Sequence, residues 1–211
     1  MKIVYRTRSD TKQEGRPVYV AFTNTRYGKV PNVSLIPVKD CGKNSIYCSP
    51  KCYGVRNYQM YQATRDAWST NSKHFRNDPY AACKQVENVL RQRQKTPTMF
   101  RIHVAGDFLN QSHVDAWSGL ASRLPMIKFL AYTKMNNLDF SQRPANFEVM
   151  ASQWPDAPLL RIKGVNRNAW ISHDGRRPSK VFKCRYDIDK TTCDTCRFCW
   201  YGKGDVSLRL F

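Results

Sequence analysis

Seven of the eight cysteines of this chain fall into two tight groups, and any fold it adopts must gather each of them. Cys41, Cys48 and Cys52 form C-x6-C-x3-C, and Cys184, Cys193, Cys196 and Cys199 form C-x8-C-x2-C-x2-C. The opening Met1-Lys2-Ile3-Val4-Tyr5-Arg6 lacks the apolar stretch of a signal peptide, and no apolar run approaches a membrane span. A cytoplasmic, reducing location is therefore expected, where metal ligation explains dense cysteines better than disulfides do. Three thiolates on one loop suit three corners of an iron–sulfur cluster and leave one iron open. A zinc site closed by a histidine or distant cysteine is the alternative. The second group suits a closed tetrahedral site, either structural zinc or a second iron–sulfur cluster. Cys83 lies outside both groups and reads as a small buried hydrophobe on a helix.

Around the cysteines the chain alternates strands and helices. Val18 to Phe22 and Val33 to Val38 flank a turn-like Arg26-Tyr27-Gly28-Lys29 segment and read as strands or a hairpin. Tyr53 to Trp68 has helical periodicity, which places Cys52 at a helix N-terminus, where the partial positive charge favours thiolate. Asp78-Pro79 is a cap followed by proline at the first helical position. Met99 to Val104 reads as a strand, Val114 to Leu124 as an amphipathic helix, and Ile127 to Thr133, Phe147 to Ala151 and Leu159 to Ile162 as further strands. The pattern predicts an α/β fold with an incomplete barrel-like or open, mostly parallel sheet and a C-terminal cysteine-rich metal-binding extension. Residues 1–165 would form the α/β domain, with its N-terminal hairpin and cysteine triad loop. Residues 166–211, polar and turn-rich before a short strand from Val206, would form the extension packed on it. Ligand sites in such sheets lie outside the carboxyl ends of the strands.

A net charge of +19, from 35 basic against 16 acidic residues, favours an anionic partner, nucleic acid before a membrane surface. Arg91, Arg93 and Lys95 form one basic cluster, and Arg176, Arg177 and Lys180 another. Arg56, Arg65 and Lys73 lie among Tyr53, Tyr58, Tyr61 and Trp68, a mixture suited to single-stranded nucleic acid or simply to a helix core. His103 and Asp107 share parity, so a regular strand would put both on one face. Asp107 then reads as a site carboxylate or a turn cap, and His103 as a hydrogen-bonded core residue or a site lining. Arg161 and Lys163 read either as a carboxylate or phosphate contact or as solvent-facing side chains, whereas His173-Asp174-Gly175 reads as a turn. There is no Walker loop, dinucleotide fingerprint, His-Glu-x-x-His or nucleophile elbow, which disfavours common nucleotide and peptide hydrolysis.

The chain resembles the phage "gene product 88" family. The likeness lies in Ser34-Leu35 leading to Cys41, Cys48-Ser49-Pro50-Lys51-Cys52-Tyr53, His103-Val104-Ala105-Gly106-Asp107-Phe108, Ala131-Tyr132-Thr133-Lys134 and Cys193 to Cys199. It covers most of the chain and implies a phage origin and a shared fold. The chain is also distantly similar to radical S-adenosylmethionine enzymes. That similarity implies Cys41, Cys48 and Cys52 as cluster ligands, with Tyr53, Gly106 and Asp107 contacting the cofactor and Asp107 near its amino group. The usual spacing in those enzymes is C-x3-C-x2-C, and Lys51 stands where a hydrophobic residue normally precedes the last cysteine.

Two functions follow from this reading. One is an iron–sulfur, S-adenosylmethionine-dependent enzyme acting on nucleic acid or a nucleotide. The other is a noncatalytic nucleic-acid-binding protein, with zinc in both cysteine groups and phosphate contacts from the basic surface.

Overall fold

The computed structural model describes residues 15–42, 46–155, 157–172 and 178–209. Two of its helices begin where the sequence supplies a side-chain cap. Helix α3 (Pro79–Arg91) starts on Asp78, whose carboxylate accepts from Tyr80 N at 2.9 Å and Ala81 N at 3.0 Å. Helix α4 (Gln111–Arg123) starts on Asn110, whose side chain accepts from His113 N at 3.0 Å. The expected helix from Tyr53 to Trp68 is divided into α1 (Tyr53–Met60) and α2 (Gln62–Asn77), with Tyr61 extended between them. Arg65 explains the break: its guanidinium donates to the Tyr58 and Gln59 carbonyls and so satisfies the end of α1.

Among the described residues, six strands form one open, curled, all-parallel sheet in the order β1-β2-β3-β4-β6-β5. They are β1 (Met99–Ile102), β2 (Lys128–Thr133), β3 (Phe147–Gln153), β4 (Arg167–Ser172), β5 (Phe182–Lys183) and β6 (Val206–Arg209). The expected α/β architecture with an open parallel sheet is thus borne out. Residues beyond 166, expected to extend a finished domain, supply three of the six strands. The strand expected at 159–162 does not form: Leu159 is exposed, and Lys163 instead makes an isolated bridge to Asp139. The expected hairpin is reduced to single antiparallel bridges, Ala21 to Asn32 and Asn24 to Gly28.

Alternation along the strands gives the sheet two differently covered faces. Phe100, Ile102, Phe129, Ala131, Phe147 and Val149 face α2, α3 and α4, meeting Phe75, Val86, Leu90, Trp117 and Leu120 in the main core. Met99, Leu130 and Met150 face the other way. There they pack with Val30, Trp200 and Val206, and with the partly buried Tyr27, Tyr132, Cys184, Cys193 and Cys199. That second face is closed by three short helices, α5 (Arg185–Asp189), α6 (Cys193–Cys196) and α7 (Phe198–Tyr201), anchored by Trp200 Nε1 donating to Phe100 O at 3.1 Å.

Candidate thiol centres

The first centre is built at the carboxyl edge of the sheet. Residues 31–36 run beside β1 as an irregular parallel segment, with Val33 N donating to Arg101 O at 3.2 Å and Leu35 N to Ala105 O at 2.9 Å. The chain then turns at Val38 (φ 66°) into the cysteine loop. Asp40, 1% exposed, fixes this turn: its carboxylate accepts from Ile36 N at 3.0 Å and Arg76 Nε at 2.7 Å. The Asp40 carbonyl accepts from Asp107 N at 2.7 Å, which joins the cysteine loop to the loop after β1. Sequence reading missed Asp40 and Arg76, because 36 residues separate them.

Cys41, Cys48 and Cys52 all lie within electrostatic reach of the Lys134 ammonium, which hydrogen-bonds the Cys48 sulfur and also faces Asp107. Burial pushes the Cys41 thiol up to about 12, with Asp107 adding to the shift and Lys134 opposing it. Burial likewise raises Cys48. Asp107 is buried, and its carboxylate accepts from Thr133 Oγ1 at 2.7 Å, Phe108 N at 2.8 Å and Lys134 N at 2.9 Å. Burial raises its carboxyl, and Lys134 together with these donors opposes the rise.

Gly106 has φ 82°, and a Cβ there would stand 2.6 Å from the Leu35 Cβ, so close packing already demands glycine. Tyr53 turns inward and donates its hydroxyl to the Val104 carbonyl. The expected shared face of His103 and Asp107 is not observed. The strand ends at Ile102, His103 takes φ 49°, and the register argument stops there. His103 packs among Phe75, Phe108, His113 and Trp117, with neither ring nitrogen hydrogen-bonded.

The second centre lies on the opposite face. Cys184, Cys193 and Cys199 pack against the same small core, whereas Cys196 lines an open cleft of about 610 Å³ with Phe182, Arg185 and Tyr201. Burial pushes Cys193 up to about 12 and Cys199 up to about 11. Among the described residues, no three His, Cys, Asp or Glu side chains are arranged to hold a metal ion. A basic side chain stands beside each group instead, Lys134 beside all three cysteines of the first and Arg26 on Cys184 in the second. A neighbouring positive charge favours the thiolate over the thiol.

Of the other candidates, Arg161 is exposed and Lys163 pairs with Asp139 at 2.6 Å. Cys83 is buried in the main core. Tyr58 is buried and its ring stacks with Trp68 at 6.3 Å, so those two belong to helix packing, while Tyr61 is exposed. His173-Asp174-Gly175, Arg176 and Arg177 lie outside the described residues. No helix among the described residues is long and apolar enough to cross a membrane.

The chain is similar to the Gene 88 protein of Mycobacterium phage L5, 37% identical over 140 residues that make up 60% of this chain and 59% of that protein. It is also similar to the Gene 88 protein of Mycobacterium phage D29, 32% identical over 81 residues, 35% of this chain and 34% of that protein. The chain thus spans less than two thirds of the length of either relative. No solved structure matches it. The Gene product 88 family model matches residues 5–202, nearly the whole chain, and the chain belongs to that phage family.

Proposed function

We propose that this phage protein is a thiolate metalloprotein in which Cys41, Cys48 and Cys52 hold an iron–sulfur cluster with one open position, and that it acts on a nucleic acid or nucleotide with S-adenosylmethionine in the host cytoplasm. The observation that carries this reading is the gathering of three thiols, Asp107 and Lys134 at one carboxyl edge of a parallel sheet, the place where ligands of such sheets bind. Cys41, Cys48 and Cys52 would hold such a cluster, which, once reduced by an external electron donor, would supply one-electron chemistry. Lys134 offsets the charge of the thiolates. Asp107, held in place by three donors, offers its remaining acceptor capacity to an amino group. The C-terminal cysteines hold a second thiolate-bound metal, zinc or another cluster, and the net charge of +19 favours a phosphate-bearing substrate.

Iron and acid-labile sulfide in protein purified without oxygen, with broad brown absorption, are the expected result. Cys48→Ala should abolish that absorption while the C-terminal metal stays. Incubation with S-adenosylmethionine and a reductant should then cleave the cofactor in the wild type alone. Metal-free wild-type protein after anaerobic reconstitution would overturn the reading.

The high positive charge also favours a second reading, a noncatalytic nucleic-acid-binding protein with zinc in both groups. It requires zinc without iron, unfolding of Cys48→Ala, and binding to single strands or duplexes that weakens steeply with salt. Salt-insensitive or absent binding would refute it.

A further inference from the structure

Beside the second cysteine group lies the open cleft of about 610 Å³, within the size range of small-ligand sites. Its aromatic walls come from both flanks of that group. Phe182 belongs to β5 and is held by pairing with Val206, whereas Phe198 and Tyr201 belong to α7. The Phe182 and Phe198 rings stack with centroids 3.7 Å apart and planes 10° from parallel. A Cβ on Gly202 would stand 2.7 Å from the Phe198 ring, so the backbone closes tightly on this pair. Tyr201 is 49% exposed, yet it is pinned at both ends. Its backbone N donates to Arg197 O at 3.2 Å and its hydroxyl to Thr98 O at 3.4 Å. A ring so fixed gives up little conformational freedom when a ligand stacks on it.

The charge of the cleft is one-sided. Arg185 and Arg197 line it, and among the described residues no carboxylate side chain does. Lys183, Lys190 and Lys203 adjoin lining residues in the chain and are all exposed. The carboxylates nearest in sequence are turned to the protein's own donors. Asp189 accepts from Arg185 Nε at 2.8 Å and Thr191 N at 3.0 Å, and Asp194 accepts from Lys29 N at 2.9 Å. Arg197 differs from Arg185 in having no such partner. Its Nε donates to Asp194 O at 3.0 Å, and among the described residues it forms no ion pair with a carboxylate. The Nη donors of its planar fork are left for a ligand.

A pinned ring and an unmatched guanidinium in one cleft select a ligand that is both flat and anionic. A membrane surface supplies the charge without the ring, and a duplex keeps its bases stacked inside. An unpaired nucleotide supplies both features. We propose that this cleft holds one unpaired nucleotide of a single-stranded nucleic acid, its base stacked on Tyr201 and the adjoining phosphate on Arg197. Arg185 and the flanking lysines draw the strand in. This rests on the reading of a phosphate-bearing partner and is independent of what the cysteines bind. It makes the cleft a strand-holding site separate from the chemistry proposed at Cys41, Cys48 and Cys52.

The test is binding of short fluorescein-labelled oligo(dT) and oligo(rU) to the full chain, read by anisotropy across a salt series beside a duplex of equal length. The two single strands distinguish DNA from RNA. Tyr201→Leu should weaken single-strand binding about 5–150-fold, the worth of one stacked base. Arg197→Gln should weaken it as well and lower the slope of log affinity against log salt by about 0.7, the share of one phosphate on a single strand. Both side chains are exposed, so neither variant should shift the thermal midpoint appreciably. In the wild type, an oligonucleotide carrying 5-iodouracil should cross-link to Tyr201 on irradiation. Wild-type binding that both variants leave intact, with cross-links elsewhere, would overturn the cleft assignment while leaving a nucleic-acid partner standing. Tighter binding to the duplex than to either single strand would overturn it too. A wild type that binds none of these nucleic acids would overturn the partner as well.

Discussion

Lowering the pH from neutrality toward 4.5 should unload much of this protein's stability through histidine, before its carboxylates titrate. His113 is fully buried, with Phe75 stacked on its ring at 4.9 Å, and His103 is 2% exposed beside it. Nδ1 of His113 accepts from Leu109 N at 3.2 Å, which fixes the neutral Nε2–H form, and Nε2 has no partner to favour a charge. Burial depresses His113 to about 3 and lowers His103 as well, with His113 and Arg101 adding to the latter shift. In the unfolded chain a histidine titrates near 6.5. The unfolded state therefore takes up the proton first, so stability is complete above about pH 6.5 and is lost as pH falls toward the folded value. At about 1.4 kcal/mol per unit, His113 alone removes roughly 3 kcal/mol by pH 4.5 and about 5 kcal/mol by pH 3. Against a typical total of about 5–15 kcal/mol, that is a large share. Urea midpoints at about pH 7, 5.5 and 4.5 measure it. His113→Asn keeps an acceptor for Leu109 N, loses ring packing at a cost of roughly 2–4 kcal/mol at neutral pH, and has nothing to titrate. Its stability should fall less steeply between about pH 6.5 and 4.5 than that of the wild type. Equal slopes in the two proteins would refute the reasoning.

Glu87, 2% exposed, bonds Arg91 and Arg123 at 2.9 Å each. Burial alone would raise its carboxyl, but Arg123, Arg91 and Lys84 outweigh burial and hold it low, so its contribution is present above about pH 4.5 and lost below as the carboxyl protonates. Glu87→Gln should therefore cost about 1–3 kcal/mol at neutral pH and flatten the acid limb of a denaturation series. Gly106→Ala should destabilise by about 1–3 kcal/mol, through a strained backbone and a collision with Leu35, read as a lowered thermal midpoint. Asp40→Asn should cost about 1–3 kcal/mol and speed alkylation of Cys41 in metal-free protein, because the pairing with Arg76 that fixes the loop is weakened; an unchanged alkylation rate would show that the loop is set elsewhere.

Local signals were legible in the sequence and long-range ones were not. Asp78-Pro79 announced α3, and the apolar runs at Met99, Ile127 and Phe147 became β1, β2 and β3, because each rule involves neighbouring residues. Strand β4, Arg-Asn-Ala-Trp-Ile-Ser, was hidden among polar residues because its pairing is nonlocal: Asn168 N and Trp170 Nε1 both donate to Asp205, at 2.8 Å each. The apolar run 159–162 carried a strand signature but no neighbour to pair with. The cysteine spacing revealed two groups. The sequence did not reveal that Lys134 and Arg26 stand beside them, that Arg101 stacks on Tyr132, or that Cys196 turns toward a separate cleft, because these meetings join segments about 30 to 160 residues apart.

The order of the last strands bears on how the molecule is made. β6 follows β5 in the chain yet lies inside it, paired with β4 on one side and β5 on the other. Until Val206 to Arg209 arrive, β4 presents an unpaired edge and the two-residue β5 has no partner in the sheet. A nascent chain, or one shortened before Val206, therefore carries a bare edge of a buried-type parallel sheet, the kind of surface on which chains aggregate. Truncation at that point should yield insoluble protein even though every cysteine is present, because β6 alone joins β4 to β5 in the sheet.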